Sequence, residues 1–138
     1  MIGQVLWLKI YFTNDHKTPS STRHPYLIAS ICADEIEVIQ LDSLYGKEHE
    51  AMRKHNKVIY VSSPRETVIS KDSYACKNMK ITLENKSELV RFRSTEDTLS
   101  IGKLSDVLSS YRQYQENNDI PRQRRVHMTI EEINGLNS

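Results

Sequence analysis

Apolar residues in this chain recur at every second position in short runs, and only once at helical spacing, which restricts the fold to one built mainly of strands. From Val5 to Phe12, Leu6, Leu8, Ile10 and Phe12 share one face, while Val5, Trp7, Lys9 and Tyr11 share the other. That is the signature of a strand buried on one side. Gly3 is placed to bend the chain just before it. The polar stretch 13–24 is too long for a tight hairpin and reads as a loop. Pro25 then opens a strand through Ile31, where the missing N–H removes no ladder bond. A turn at Ala33-Asp34 leads into a strand from about Glu35 to Leu41, which makes a hairpin.

Residues 42–57 are polar and charged and read as a surface loop or a short helical turn, followed by a strand at Val58–Val61 that Ser63-Pro64 breaks. Further apolar runs at 67–69, 73–79, 80–83 and 89–93 give a middle region of short strands. The period then changes. Leu104, Val107, Leu108 and Tyr111 stand at i, i+3, i+4 and i+7, so one amphipathic helix closes the domain. It ends at Asn117-Asn118-Asp119, and Pro121 follows. The expected division is a domain over 1–116 and a polar, basic tail over 117–138, in which Thr129 can cap a short helix bearing Ile130 and Ile133. The run Arg122-Gln123-Arg124-Arg125 is expected to be solvated.

Composition narrows the function. The net charge is +1, so a nucleic-acid-binding chain of this make-up must gather its Lys and Arg on one face. No run approaches the roughly 20 apolar residues of a membrane span, and the first residues lack the features of a signal peptide, so a cytoplasmic protein is expected. Cys32 and Cys76 lack metal-ligand spacing and read as buried small hydrophobes. His49 and His55 flank Arg53 and Lys54 without a zinc pattern, which leaves a basic surface.

Several short segments, in order, resemble the MazF/PemK/Kid family of toxin endoribonucleases, whose small SH3-like barrel is shared with the CcdB gyrase poisons. Gly3-Gln4-Val5-Leu6-Trp7-Leu8 is similar to the family's opening, and Arg23-His24-Pro25-Tyr26-Leu27-Ile28-Ala29-Ser30 to its basic residue and Pro leading into an aliphatic strand. Val38-Ile39-Gln40-Leu41-Asp42-Ser43 stands where that family has a strand ending in a hydroxyl pair. Tyr74-Ala75-Cys76-Lys77-Asn78 is similar to a small-residue segment with an acid-amide pair, and Leu104 to Tyr114 to the closing helix. Two positions differ from the family pattern. His24 stands directly before Pro where Arg is common, and Asp42 stands where Thr is usual.

The resemblance implies a mainly β, SH3-like barrel with a C-terminal helix. It also implies sequence-selective, metal-independent cleavage of single-stranded RNA without a cofactor, a homodimer, and a cognate antitoxin. Such cleavage needs a base for the ribose 2′-OH, a cation at the phosphate and a proton for the 5′ oxygen. Arg23, His24, Asp42 and Ser43 supply those groups, and His16, Lys47, Lys77 and Asn78 are the candidate RNA contacts. The same residues have a plainer reading. An Arg-His pair before Pro is a common loop end, and an Asp-Ser after a strand a common turn or cap. Asp42 would repel phosphate unless paired with Arg23 or Lys47. Trp7, Tyr11 and Phe12 are expected in the core. Two alternatives follow: a catalytically inactive barrel of this type that binds protein or nucleic acid, and a CcdB-like topoisomerase poison.

Overall fold

The computed structural model describes all residues, Met1–Ser138. Seven strands alternate with three α-helices in chain order: β1 (Val5–Leu8), β2 (His24–Ile31), β3 (Glu35–Ser43), α1 (Glu48–Ala51), β4 (Asn56–Ile59), β5 (Ser73–Cys76), β6 (Lys80–Glu84), α2 (Ile101–Asn117), β7 (Arg125–Met128) and α3 (Ile130–Leu136). The protein is mainly β, as the alternation predicts, and closes with a C-terminal helix.

The long strand β3 organises the sheet. One edge pairs with β2, and the other is shared by two strands: Glu35–Val38 pair with β6, and Leu41–Ser43 with β5. Serving two partners on one edge requires the sheet to bend, and a register shift in β2 between Ile28 and Ser30 supplies a bulge opposite. β1 extends the sheet beyond β2, β4 beyond β5, and β7 beyond β6. Every pair is antiparallel except β6–β7.

Both faces of the sheet are covered. One side carries a cluster of 15 buried residues, including Leu6, Leu8, Tyr26, Ile28, Val38, Ile81, Met128 and Ile133. The other carries 12, including Val5, Leu27, Ala29, Ile39, Leu41, Val107 and Tyr111. Consecutive residues of β2 therefore alternate between two cores, which is why its sequence reads as a continuous aliphatic run. The predicted helical stripe lies on the second core: Val107 and Tyr111 are buried, and Leu104 and Leu108 pack at its margin. No helix is long and apolar enough to cross a membrane.

Gly3 is a true bend, with φ of +93°, and a Cβ there would stand 2.9 Å from Leu104 Cδ2. Several expectations need correction. Residues 117–138 are not a separate tail. β7 joins the sheet, α3 buries Ile133, and Arg124, half-buried, bonds to the Asn78 carbonyl; Arg122, Gln123 and Arg125 stay exposed as expected, Arg125 also donating to the Ile120 carbonyl. The alternation Val126, Met128 was visible in the sequence, but a four-residue strand is stable only against an existing edge. Residues Ser87–Phe92 form a 3-10 helix, not a strand, because Leu89 and Phe92 fall three apart and face the core together. Cys32 is exposed at the hairpin end and Cys76 is half-buried, so neither is a wholly buried hydrophobe. Trp7 is 39% exposed rather than in the core: it lies on the opposite face of β1 from Leu6 and Leu8, beyond Val5, which is the residue of that face that fills the second core.

Candidate functional site

The start of β2 and the end of β3 meet at one rim of the sheet. Leu8 pairs with His24 and Trp7 with Pro25 across β1–β2, while Asp42 and Ser43 pair with Tyr74 and Ser73 across β3–β5. These registers bring Trp7, Arg23, His24, Asp42 and Ser43 to the walls of a cleft of about 220 Å³. All four residues predicted for the chemistry therefore share one site. The loop between β4 and β5 supplies the remaining wall through Ile69, Ser70 and Lys71. It is pinned from several directions: Val68 and Ile69 are buried in the second core, Asp72 Oδ1 accepts from Val61 N at 2.8 Å, and Leu44 N donates to Asp72 O at 2.9 Å.

Asp42 is the most connected group in the cleft. Its Oδ2 accepts from Lys47 Nζ at 3.2 Å and from Tyr74 Oη at 3.3 Å, and its Oδ1 from Ser43 N at 3.1 Å. Lys47 thus joins the site as the partner that offsets the carboxylate. The charge is felt inward as well. Burial first, and Asp42 second, push the Tyr74 hydroxyl up, and the same two causes push the Cys76 thiol up to about 12. Ser43 Oγ accepts from Tyr45 N at 3.3 Å and keeps its own proton free to donate.

Arg23 is exposed. One amino group donates to the Asn137 carbonyl at 3.1 Å, and the guanidinium carbon lies 5.6 Å from the Phe92 ring centre. Fixed at one end, it keeps its other donors for a ligand. The His24 ring makes an edge contact with Phe12, with centroids 6.1 Å apart, and both ring nitrogens lack a partner.

The structure does not bring the other predicted contacts here. His16, with φ of +58°, stacks on Tyr11 at 4.8 Å, and its ring nitrogens reach Glu132 Oε2 at 2.5 Å and the His127 carbonyl at 3.1 Å. It clips the 13–22 loop to α3 instead of closing over the cleft. Lys77 is buried against α2, donating to Ser110 Oγ at 2.9 Å, and Asn78 Oδ1 is taken by Arg124 at 3.1 Å. Both are structural in this fold.

Trp7, Ser70 and Lys71 are the site residues that the sequence reading passed over. For Trp7 a signal existed, its place on the strand face that also carries Lys9; for Ser70 and Lys71 there was none, since only the packing of the loop sets them there. No group of three or more His, Cys, Asp or Glu side chains stands in an arrangement that holds a metal ion. Comparisons with family models, curated proteins and solved structures found no match.

Proposed function

We propose that this chain is a metal-independent endoribonuclease acting on single-stranded RNA, the toxin of a toxin–antitoxin pair, working as a homodimer. The observation that carries the reading is the convergence of Arg23, His24, Asp42 and Ser43, from two separate strand ends, on one cleft. His24, with both ring nitrogens free, is the base that takes the 2′-OH proton. The 2′ oxygen then bonds to phosphorus and the P–O5′ bond breaks. The products are a 2′,3′-cyclic phosphate and a 5′-hydroxyl, whose proton comes from solvent in the open cleft. Arg23 steadies the charge on the phosphate through the donors that Asn137 leaves free, and Ser43 donates its hydroxyl proton to a phosphate oxygen. Asp42, committed to Lys47, Tyr74 and Ser43 N, holds the rim in shape.

One observation favours a second reading, binding without cleavage: the Asp42 carboxylate lines the cleft and opposes a phosphate there. Incubating the protein with a long unstructured RNA in EDTA and mapping new 5′ ends separates the two. The expected result is cleavage at a recurring short motif, reduced roughly 10²- to 10⁴-fold by His24→Ala and strongly by Arg23→Ala. Intact RNA beside a folded protein overturns the nuclease reading and leaves the binding one.

A further inference from the structure

The cleft does not end at His24. It shares Ser43, Ser70 and Lys71 with a larger cleft of about 640 Å³, which reaches Tyr45. That second cleft shares Val61, Ser62 and Ser70 with a third of about 500 Å³, which reaches Arg65. Ser70 lines all three, so they form one continuous groove across the loop between β4 and β5.

The charges along the groove are unequal in their commitments. Asp42 is held by Lys47, Asp72 by Val61 N, and Glu66 by Lys103 and Ser100 N, which leaves Glu48 as the one carboxylate in the lining without a partner. Arg23, Lys71 and Arg65, one in each part of the groove or at its junction, have no carboxylate partner. Two large aromatics also stand open to solvent on its walls, Trp7 at 39% and Tyr45 at 89% exposure. Exposed rings beside a line of free cations are what a flexible, unpaired nucleic-acid strand requires: phosphates follow the charges and bases rest on the rings. A duplex cannot present its bases in that way.

We propose that a single nucleic-acid strand follows this whole groove, its phosphates passing Arg23, Lys71 and Arg65 and its bases stacking on Trp7 and Tyr45. The proposal rests on reading the His24 cleft as an RNA site, and it extends that site well past the scissile bond. It also makes the arm beyond Ser70 the part that anchors substrate rather than the part that cuts it.

The chain contains one tryptophan, so its fluorescence reports on the groove directly. The test titrates the full-length protein with a single-stranded 2′-deoxy-oligonucleotide, which lacks the 2′-OH and cannot be cleaved by this chemistry. Saturable quenching of Trp7 is expected. Tyr45→Ala is expected to weaken binding roughly 5- to 100-fold, and Lys71→Ala and Arg65→Ala each to lower the salt slope by about 0.7. These side chains are exposed, so the variants retain the fold. Equal quenching by a duplex, or binding indifferent to all three substitutions, overturns the proposal. Equal quenching by oligo-glutamate overturns it in favour of an acidic protein segment as the occupant. Deoxy-oligonucleotide binding with the expected losses but no RNA cleavage sinks only the nuclease reading, whereas RNA cleavage unchanged in the three variants sinks only the extended groove.

Discussion

The Asn137 side chain pairs with both backbone polar groups of Lys9, accepting from its N–H at 2.7 Å and donating to its carbonyl at 3.0 Å. Two residues 128 positions apart thereby close the fold where β1 runs out of ladder partners. The same residue's own carbonyl receives Arg23, so the last turn of the chain also sets the position of a cleft cation.

Asn137→Ala removes both bonds and leaves the Lys9 N–H without an acceptor. Because Asn137 is buried, a loss of about 2 to 3 kcal/mol is expected. Urea unfolding checks it: a lower midpoint at unchanged m-value is the expected outcome, and an unchanged midpoint contradicts the role given to this side chain.

Glu132 makes stability depend on acid. Burial works against its charged form, but bonds from Thr129 N and Oγ1 and the neighbouring His16 outweigh it and hold the carboxyl below its usual value. A depressed folded value contributes stability above the ordinary carboxylate range, and that contribution fades as pH falls through the range and past the folded value. Replacing Glu132 with Ala, which also breaks the capping box of α3, is expected to cost about 1 kcal/mol at neutral pH. The gap between wild type and variant should close in acid. A gap of constant size down to the acid transition contradicts this account.

The two cysteines should separate cleanly by reactivity. Cys32 is exposed, whereas the Cys76 thiol, pushed up to about 12 by burial and then by Asp42, stays protonated and unreactive at pH 8. A disulfide-exchange reagent is expected to titrate one thiol rapidly in the folded protein and a second only after denaturation. Two fast thiols would show that the environment of Cys76 is more open than described.

Asp42→Asn removes the carboxylate from the cleft lining and frees Lys47. Affinity for a single-stranded oligonucleotide is expected to rise a few-fold, with a salt slope steeper by about 0.7. Weaker binding would mean that Asp42 contacts the ligand through its charge rather than shaping the rim.

Period-two patterning placed the first hairpin, and the spacing of Leu104, Val107, Leu108 and Tyr111 placed α2, because both depend on neighbours along the chain. The cap Thr129-x-x-Glu132 was legible for the same reason and forms as expected. Residues 117–138 read as a tail in the sequence because β7, though Val126 and Met128 give it an apolar face, is too short to form until β6 offers an edge. The clip made by His16 is not legible in the sequence, because its partners, Glu132 and the His127 carbonyl, come from the far end of the chain.

The sequence by itself determined that the chain is mainly strands, that one amphipathic helix covers them, and that Arg23, His24, Asp42 and Ser43 stand at strand ends. Tertiary structure alone decided which of these groups are free. Strand registers join the four at one rim, Lys47 and Tyr74 take up Asp42, Asn137 just past α3 holds Arg23, and a pinned loop sets Lys71 beside Ser43. The physical reason is that periodicity encodes which face a residue presents, a local property. Whether a polar group has a partner depends on contacts between distant segments, which exist only once the two cores have packed.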